Sequence, residues 1–259
     1  KNPELMKRFG EFVHSLSGKY YTAEDVGMET KDMDIVREVT PYVTGVSEAI
    51  GGSGNPSPIT AYGVYMGMKA AAKYKFGTDN LNGKSVLVQG IGHVGEVLVE
   101  HLINEGAIVT ISDINEERLH LVGSKYGAKI FSGDNLYAAD VDIYAPCALG
   151  ATINDDTIKM IRAKVIAGAA NNQLANEVIH GQILKDKGIL YAPDFLINAG
   201  GVINVYSELA KLTKAEVMQK TENIYNTSLD IFKLAESNDI STHHAALLIA
   251  QKRIENKKL

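Results

Sequence analysis

Five short apolar segments alternate with predicted helices between residues 84 and 191, and this alternation restricts the fold more than any other feature. The apolar segments are 86–88, 108–111, 141–144, 165–167 and 189–191. The helical segments that separate most of them are 94–105, 115–126, 154–162 and 175–187. Short apolar strands that alternate with helices are typical of βαβ units and a parallel sheet. The sequence therefore predicts an α/β fold with a doubly wound sheet.

The segments on either side of this region are mostly helical. The periodicity predicts helices over 3–17, 32–38, 60–74, 202–211, 214–236 and 241–257, and a short strand at 20–22. In the first helix, the predicted apolar face consists of residues that recur at helical spacing: Leu5, Phe9, Phe12, Val13 and Leu16. The Gly/Pro/Ser-rich stretch 51–58 is a candidate hinge.

These observations predict three parts in the chain. Residues 1–50 are expected to form a first part, and residues 51–205 are expected to form a domain that contains the parallel sheet. Residues 206–259 are expected to form C-terminal helices that partly pack back on the first segment.

Composition excludes several classes of protein. The 259 residues contain 26 Lys and Arg against 31 Asp and Glu, a net charge of −5, with 45% apolar and 22% charged residues. Such usage is ordinary for globular proteins and excludes a disordered, collagen-like or coiled-coil chain. No apolar segment approaches the roughly 18 residues of a membrane span. The mild acidity argues against a nucleic-acid partner, which requires a basic surface.

The single cysteine bears on cellular location. Cys147 has no partner within the chain for a disulfide bond. A chain without disulfides is typical of a reducing compartment, so we expect a cytoplasmic protein.

A glycine motif follows the first strand of the alternating region directly and opens a helix. It reads Gly90-Ile91-Gly92-His93-Val94-Gly95. In such a motif the first glycine permits a tight turn, the second lets the backbone approach a pyrophosphate, and the third lets the helix lie close to the strand. The phosphates then face the positive end of the helix. The motif predicts a dinucleotide site.

Asp113 supports this prediction because it ends the next strand, 23 residues after Gly90. A carboxylate at that position accepts the hydroxyl groups of an adenosine ribose and repels a 2′-phosphate. No arginine stands among the residues that follow directly, Ile114, Asn115 and Glu116, so NAD is favoured over NADP. The alternative is a structural turn in which Asp113 caps the helix that begins near Asn115.

Two further loops follow strands and are expected to border the nicotinamide, because ligands of open parallel sheets bind beyond the carboxyl ends of the strands. One contains Ala145, Cys147 and Ala148, and the other contains Ala169 and Asn171. A lone cysteine is more often a small buried apolar residue than a nucleophile. Adjacent asparagines such as Asn171 and Asn172 also occur simply as turn formers.

Five longer strings occur in order from one end of the chain to the other. Together they resemble the Glu/Leu/Phe/Val amino-acid dehydrogenase family, and its leucine dehydrogenases most closely. The strings are Tyr21-Thr22-Ala23-Glu24-Asp25-Val26-Gly27, Gly54-Asn55-Pro56-Ser57-Pro58-Ile59-Thr60-Ala61-Tyr62-Gly63-Val64, Ala145-Pro146-Cys147-Ala148-Leu149-Gly150, Ala167-Gly168-Ala169-Ala170-Asn171-Asn172-Gln173-Leu174 and Asp194-Phe195-Leu196-Ile197-Asn198-Ala199-Gly200-Gly201-Val202.

The resemblance implies the reversible oxidative deamination of an L-amino acid by NAD, which gives a 2-oxo acid, ammonia and NADH. It places Asp25 in the role of the proton shuttle near the amino group, with its neighbour Glu24 as the rival. Without the resemblance, such an acidic pair is more often a helix cap or a solvated turn. The reaction also requires a base that activates water and a cleft that closes on the substrate.

The resemblance also implies residues for cofactor and substrate. Ala23, Val202 and Val205 match an apolar pocket for a branched side chain, although core packing produces the same spacing. An apolar pocket discriminates weakly between Leu, Ile and Val. The residues expected to bind NAD are Thr60, Gly90, Ile91, Gly92, His93, Val94, Gly95, Asp113, Ile114, Ala145, Cys147, Ala148, Ala169, Asn171 and Asn198. No metal site is expected, and the family implies a symmetric homo-oligomer.

The sequence departs from the family in one respect. The family's catalytic lysine and its substrate-carboxylate lysine lie in a glycine-rich segment before the helix that begins here at Pro3. No lysine of this chain matches either role, and the first residue is Lys1 rather than Met. The resemblance thus implies that residues 1–50 are the remaining part of a second, truncated α/β domain, which binds substrate or supports oligomerisation, and that residues 51–205 are the NAD-binding domain. We therefore expect a fragment that binds NAD with little turnover.

Three other functions stay open. One is a non-catalytic NAD-binding or assembly module, and another is an enzyme that prefers phenylalanine or valine. The third, a 2-hydroxy-acid dehydrogenase, requires a His–acid pair near the nicotinamide, and neither His93 nor His180 has an obvious partner in the sequence.

Overall fold

The computed structural model describes residues 1–25 and 27–256. The chain forms two compact units: Lys1–Ile59 with Gly200–Lys220, and Thr60–Ala199 with Thr221–Leu259. By contacts, residues 51–59 and 200–205 group with the first unit, and most of the C-terminal helices group with the second. The functional boundaries 1–50, 51–205 and 206–259 stay a prediction.

A six-stranded parallel sheet forms the centre of the second unit. Its strands are β1 (Ser85–Gln89), β2 (Ile108–Ser112), β3 (Lys129–Ile130), β4 (Ile143–Pro146), β5 (Val165–Ile166) and β6 (Leu190–Tyr191). Their order is β3-β2-β1-β4-β5-β6, with every neighbouring pair parallel. This is the order of the doubly wound dinucleotide-binding fold, so the predicted fold class is confirmed.

Helices account for most of the remaining structure. They are α1 (Pro3–Ser15), α2 (Thr30–Arg37), α3 (Ser57–Phe76), α4 (His93–Asn104), α5 (Glu116–Tyr126), α6 (Thr157–Met160), α7 (Glu177–Asp186), α8 (Asp194–Ile197), α9 (Gly200–Ala210), α10 (Lys214–Glu222), α11 (Ile224–Ser237) and α12 (Thr242–Glu255). Single 3-10 turns occur at Glu48–Ile50 and Leu136–Ala138. Among the described residues, no helix combines the length and the apolar character that a membrane crossing demands.

The core of the second unit lies on the sheet. Leu87, Tyr144 and Ile166, from three adjacent strands, are fully or almost fully buried and pack in one cluster with Leu184 of α7. Apolar residues that are buried on both faces of central strands explain why β1 and β4 appear in the sequence as continuous apolar segments.

The first unit is smaller, and its core lies between α1 and α2. Met6, Val13, Met33 and Val36 are buried there. The predicted strand at 20–22 is reduced to one parallel bridge between Thr22 and Val43.

The predicted apolar face of α1 is wrong for four of its five residues, since only Val13 is buried. Phe12 is 60% exposed and Leu5 is 55% exposed, whereas Met6, Gly10 and Val13 form the buried face. Gly10 explains the difference, because a Cβ there would lie 2.4 Å from Cγ2 of Val39. The helix therefore approaches its neighbour along the glycine rather than along the phenylalanines.

Two other predicted helices differ from the structure. The helix predicted over 154–162 begins only at Thr157, because the Asn154 side chain accepts a hydrogen bond from the Thr157 amide at 3.1 Å and forms a turn there. The helix predicted over 214–236 is divided at Asn223 into α10 and α11.

Candidate functional site

In the glycine loop between β1 and α4, the surroundings of each glycine match the role that the motif predicts for it. Gly90 has φ +91°, and a Cβ there would lie 2.6 Å from the Ala148 amide nitrogen. A Cβ on Gly95 would lie 2.0 Å from the carbonyl oxygen of Gly90. A Cβ on Gly92 would meet nothing within 4 Å. The loop is thus crowded where it turns and packs, and open at Gly92, where a pyrophosphate would approach the amino end of α4.

Asp113 follows β2 and holds the glycine loop in place. Its Oδ2 accepts a hydrogen bond from the Ile91 amide at 2.8 Å, and its Oδ1 accepts one from the Asn115 amide at 2.9 Å. The cap of α5 is Asn115, whose side chain accepts from the Arg118 amide. Asp113 therefore does not cap the helix as the structural alternative supposed. It fastens Ile91 and stays half-exposed beside the loop.

Arg118, two residues beyond Glu116, bonds to the same loop. Its Nε donates to the carbonyl oxygen of Ile91, and its Nη2 donates to Glu96 at 2.9 Å. Hydrogen bonds from Lys125 and the charges of Lys125 and Arg118 hold the pKa of Glu96 below its usual range. The Ile91 peptide is thus held at both ends, by Asp113 and by Arg118.

The loops after β4 and β5 join the glycine loop at the carboxyl end of the sheet. The Gly90 amide donates to the Ser112 carbonyl at 2.7 Å, and the Cys147 amide donates to the Gln89 carbonyl at 2.7 Å. The Ala170 amide donates to the Pro146 carbonyl at 3.0 Å. This edge of the second unit brings together the following predicted cofactor residues: Gly90, Ile91, Gly92, His93, Val94, Gly95, Asp113, Ile114, Ala145, Cys147, Ala148, Ala169 and Asn171.

Asn198 also reaches this edge. Its Nδ2 donates to Oδ1 of Asn171 at 2.5 Å and to the Ala169 carbonyl at 3.2 Å. Two residues that the sequence reasoning did not select hold this arrangement. Gln173 is fully buried and donates to the carbonyl oxygens of Gly168 and Ala170, and buried Asp194 accepts from the Gln173 amide at 2.9 Å.

Cys147 is unsuited to act as a nucleophile. Its sulfur accepts a hydrogen bond from the Ala169 amide at 3.4 Å, and burial raises the pKa of the thiol to about 12. A thiol with that pKa carries almost no thiolate near neutral pH.

We expect iodoacetamide at pH 8 to alkylate Cys147 about a thousandfold more slowly than a free cysteine, because only the thiolate reacts. Mass spectrometry of the labelled chain measures the rate, and the same chain unfolded in urea is the control. Equal rates in the folded and unfolded chain would contradict the raised pKa of this thiol.

The remaining predicted residues divide between the units. Thr60 is the fourth residue of α3 and belongs to the second unit, while Ala23, Asp25, Val202 and Val205 belong to the first. Asp25 is exposed and Val202 is 69% exposed. Oε2 of the neighbouring Glu24 accepts from the Thr30 hydroxyl at 3.1 Å, which ties the rival carboxylate to the start of α2.

Gly45 connects two of the predicted substrate segments. Its φ is +74°, and a Cβ there would lie 3.5 Å from Cγ1 of Val205 and 3.6 Å from the Glu24 amide nitrogen. Val205 of α9 and the segment that contains Ala23 and Asp25 are therefore neighbours across this glycine.

The prediction that His180 lacks a partner is wrong. His180 is buried, its Nδ1 accepts from the Asn176 amide at 2.9 Å, and its Nε2 lies 3.0 Å from Oδ1 of Asp155. Since Nδ1 accepts, Nε2 carries the proton and donates to Asp155. Both nitrogens are thereby engaged in fixing the start of α7. Within residues 1–25 and 27–256, no cluster of His, Cys, Asp or Glu is arranged to hold a metal ion.

Comparisons with known proteins agree with this geometry. The model of the Glutamate/Leucine/Phenylalanine/Valine dehydrogenase family matches residues 51–117 and 114–259. Leucine dehydrogenase of Thermoactinomyces intermedius is 52% identical over 255 residues, which cover 98% of this chain and 69% of the relative. Leucine dehydrogenase of Bacillus subtilis is 51% identical over 258 residues, which cover 100% of this chain and 71% of the relative.

Solved structures show the same fold. The crystal structure of L-tryptophan dehydrogenase from Nostoc punctiforme superposes with a TM-score of 0.84 at 40% identity, covering 100% of this chain and 74% of that one. A glutamate dehydrogenase from Thermus thermophilus superposes with a TM-score of 0.78 at 21% identity, covering 99% of this chain and 69% of that one. The chain belongs to the glutamate/leucine/phenylalanine/valine dehydrogenase family of amino-acid dehydrogenases.

Proposed function

We propose that this protein catalyses the NAD-dependent, reversible oxidative deamination of a branched-chain L-amino acid. Leucine is the expected substrate, with valine and isoleucine also accepted, and the products are the 2-oxo acid, ammonia and NADH. The observation that carries the proposal is the identity of about half the residues with leucine dehydrogenases over nearly the whole chain. The glycine motif supports the proposal as well. Within it, Gly92 alone has open space beside it, and Gly92 is the glycine expected to approach a pyrophosphate.

The second unit fits NAD. In this proposal Gly92 and the amino end of α4 face the pyrophosphate, where the unpaired helix amides favour negative charge. Asp113 stands where it would accept the adenosine ribose hydroxyls, and its charge disfavours a 2′-phosphate. Arg118, which would otherwise favour NADP, is engaged with Glu96 and Ile91. Asn171 and Asn198 would hold the nicotinamide end, and bound NAD supplies a hydride acceptor.

The first unit supplies the acid–base group and the substrate pocket in this proposal. Asp25 would take a proton from the substrate amino group and return one to the departing ammonia. The resemblance places Asp25 rather than Glu24 in this role, and Oε2 of Glu24 accepts a hydrogen bond from the Thr30 hydroxyl. Ala23, Val202 and Val205 would enclose an aliphatic side chain, and none of the three carries a charge that would pair with a second carboxylate.

Aromatic substrates are the second candidate. L-tryptophan dehydrogenase from Nostoc punctiforme is 43% identical over 258 residues, covering 100% of this chain and 72% of the relative. The shared fold therefore accommodates side chains of different size. We propose in addition that the protein works in the cytoplasm, as the lone cysteine indicates, and that it forms a homo-oligomer, as the resemblance implies.

The proposal is tested by measuring NADH formation at 340 nm with the protein as its cell makes it. We expect turnover with L-leucine, L-isoleucine and L-valine, and weaker turnover with L-phenylalanine and L-tryptophan. We expect the 259 residues by themselves to bind NADH with little turnover, because no lysine among them matches the family's catalytic position. A preference for L-glutamate or for 2-hydroxy acids would contradict the proposed substrate class.

A further inference from the structure

One carboxylate in the first unit accepts an unusual number of hydrogen bonds. Oε1 of Glu208, on α9, accepts from the Gly45 amide at 2.8 Å, from the Ser53 amide at 2.7 Å and from the Ser53 hydroxyl at 2.6 Å. Asn204, one turn earlier on α9, donates to the Ser53 carbonyl at 3.4 Å. Two successive turns of α9 are therefore tied to the loops at 45 and 53.

The loop at 45 is the neighbour of the proposed substrate pocket. Gly45 is buried and lies between Val205 of α9 and the segment 23–25. The hydrogen bond from Gly45 to Glu208 therefore fixes how closely Val205 approaches that segment. Glu208 itself contacts loops rather than the proposed pocket residues, so it acts on the pocket only through their position.

The polar face of α9 lines a cavity. A cavity of about 600 Å³ lies within the first unit. Its lining includes Asn204, Ser207 and Glu208 of α9, together with Ile59 and Met218. Closely packed side chains resist displacement of a helix, whereas an open cavity does not. Hydrogen bonds that Glu208 accepts and that Asn204 donates, rather than packing, therefore hold this face of α9 against the loops.

We propose that Glu208 is a positioning residue that sets the width of the substrate side-chain pocket and so excludes aromatic amino acids. The inference rests on the proposed function. Without Glu208, the buried Gly45 amide loses its acceptor, and α9 has room to move into the cavity. Val205 then moves away from Gly45, and the pocket admits a larger side chain.

The first test compares kcat/KM for L-leucine with that for L-phenylalanine, in the protein as its cell makes it. We expect the Leu/Phe ratio to fall about tenfold in Glu208→Ala, within the range by which apolar pockets discriminate. Glu208→Gln keeps an accepting oxygen, so its ratio should stay within about threefold of the parent. The KM for NAD should not change in either variant.

Glu216→Ala is the matched control. Glu216 is a carboxylate of α10 that accepts from the amide and the hydroxyl of Thr213, both at 2.8 Å, and it bonds to neither loop. Its removal should leave the Leu/Phe ratio unchanged. Adding Met218→Phe to Glu208→Ala fills part of the cavity and should restore the ratio toward that of the parent.

The second test needs no turnover. In the parent, the Val205 methyl protons should show a nuclear Overhauser effect to Hα of Gly45, and Glu208→Ala should lose it while Glu208→Gln keeps it. An unchanged Overhauser effect and an unchanged ratio in Glu208→Ala would each overturn the inference. If the parent oxidises no aliphatic amino acid, the proposed function fails, and the Overhauser effect still decides whether Glu208 positions α9.

Discussion

Asp25→Asn is expected to lower kcat for the oxidation of L-leucine by about 10²- to 10³-fold, within the range that general acid–base catalysis contributes. Asparagine has nearly the same shape as aspartate, but its side chain neither takes up nor delivers a proton near neutral pH. The dissociation constant of NADH should change less than twofold, because Asp25 belongs to the first unit and the glycine loop to the second. Stopped-flow measurement of NADH formation and fluorescence titration of NADH give the two quantities.

The neighbouring carboxylate provides the control for this prediction. Glu24→Gln keeps an acceptor for the Thr30 hydroxyl, so its kcat should stay within a few-fold of the parent. If Glu24→Gln lost activity and Asp25→Asn did not, the proton shuttle would be Glu24. Full activity in both variants would remove this acidic pair from the mechanism.

Asp113→Ala is expected to weaken NADH binding by about 10- to 100-fold, because it removes the proposed ribose acceptor and also releases the Ile91 amide. Loss of one hydrogen bond to a charged group costs about 1.5–3 kcal/mol, which corresponds to this range. Calorimetric titration with NADH measures the affinity. The unfolding temperature should also fall, because Ile91 and Asn115 each lose their bond to the carboxylate.

Asp113→Asn separates the two roles of this residue. Asparagine keeps one oxygen that accepts from a backbone amide, so the stability should largely return while the affinity for NADH stays reduced. Glu117→Ala, an exposed carboxylate in the first turn of α5, controls for the loss of one negative charge. Parent-like NADH affinity in Asp113→Ala would exclude the ribose contact.

The sheet was predictable because its central strands are buried on both faces and therefore apolar throughout. β3 was missed for the opposite reason, since Lys129 and Ile130 form a two-residue edge strand that is exposed. The glycine loop was predictable because its three glycines recur at a fixed spacing between a strand and a helix. Close contacts require Gly90 and Gly95, whereas the space beside Gly92 is open. On α1, by contrast, the buried face is set by Gly10 and its close approach to Val39, which periodicity does not reveal.

The hydrogen-bonded supports of the site were not predictable in the same way. Four side chains hold loops through hydrogen bonds to the backbone: Arg118, Gln173, Asp194 and Glu208. Of these, Gln173 bonds to residues close to it in the sequence, and the other three bond to distant ones. A side chain that bonds to backbone amides and carbonyls leaves no periodic signal, because its partners are the same in every residue. Asp194 and Gln173 stand within the strings that resemble the family, and that resemblance was the one signal that pointed toward them.

The two compact units are interleaved along the chain, which has a consequence for synthesis. The first unit takes its core from residues 1–59 but receives α9, with Glu208 and Val205, only from residues 200–220. A nascent chain leaves the ribosome amino end first. Gly45 and Ser53 therefore emerge 163 and 155 residues before the carboxylate that fastens their loops. Until then they lack that acceptor, and a chaperone that shields this surface during translation would raise the yield of native protein.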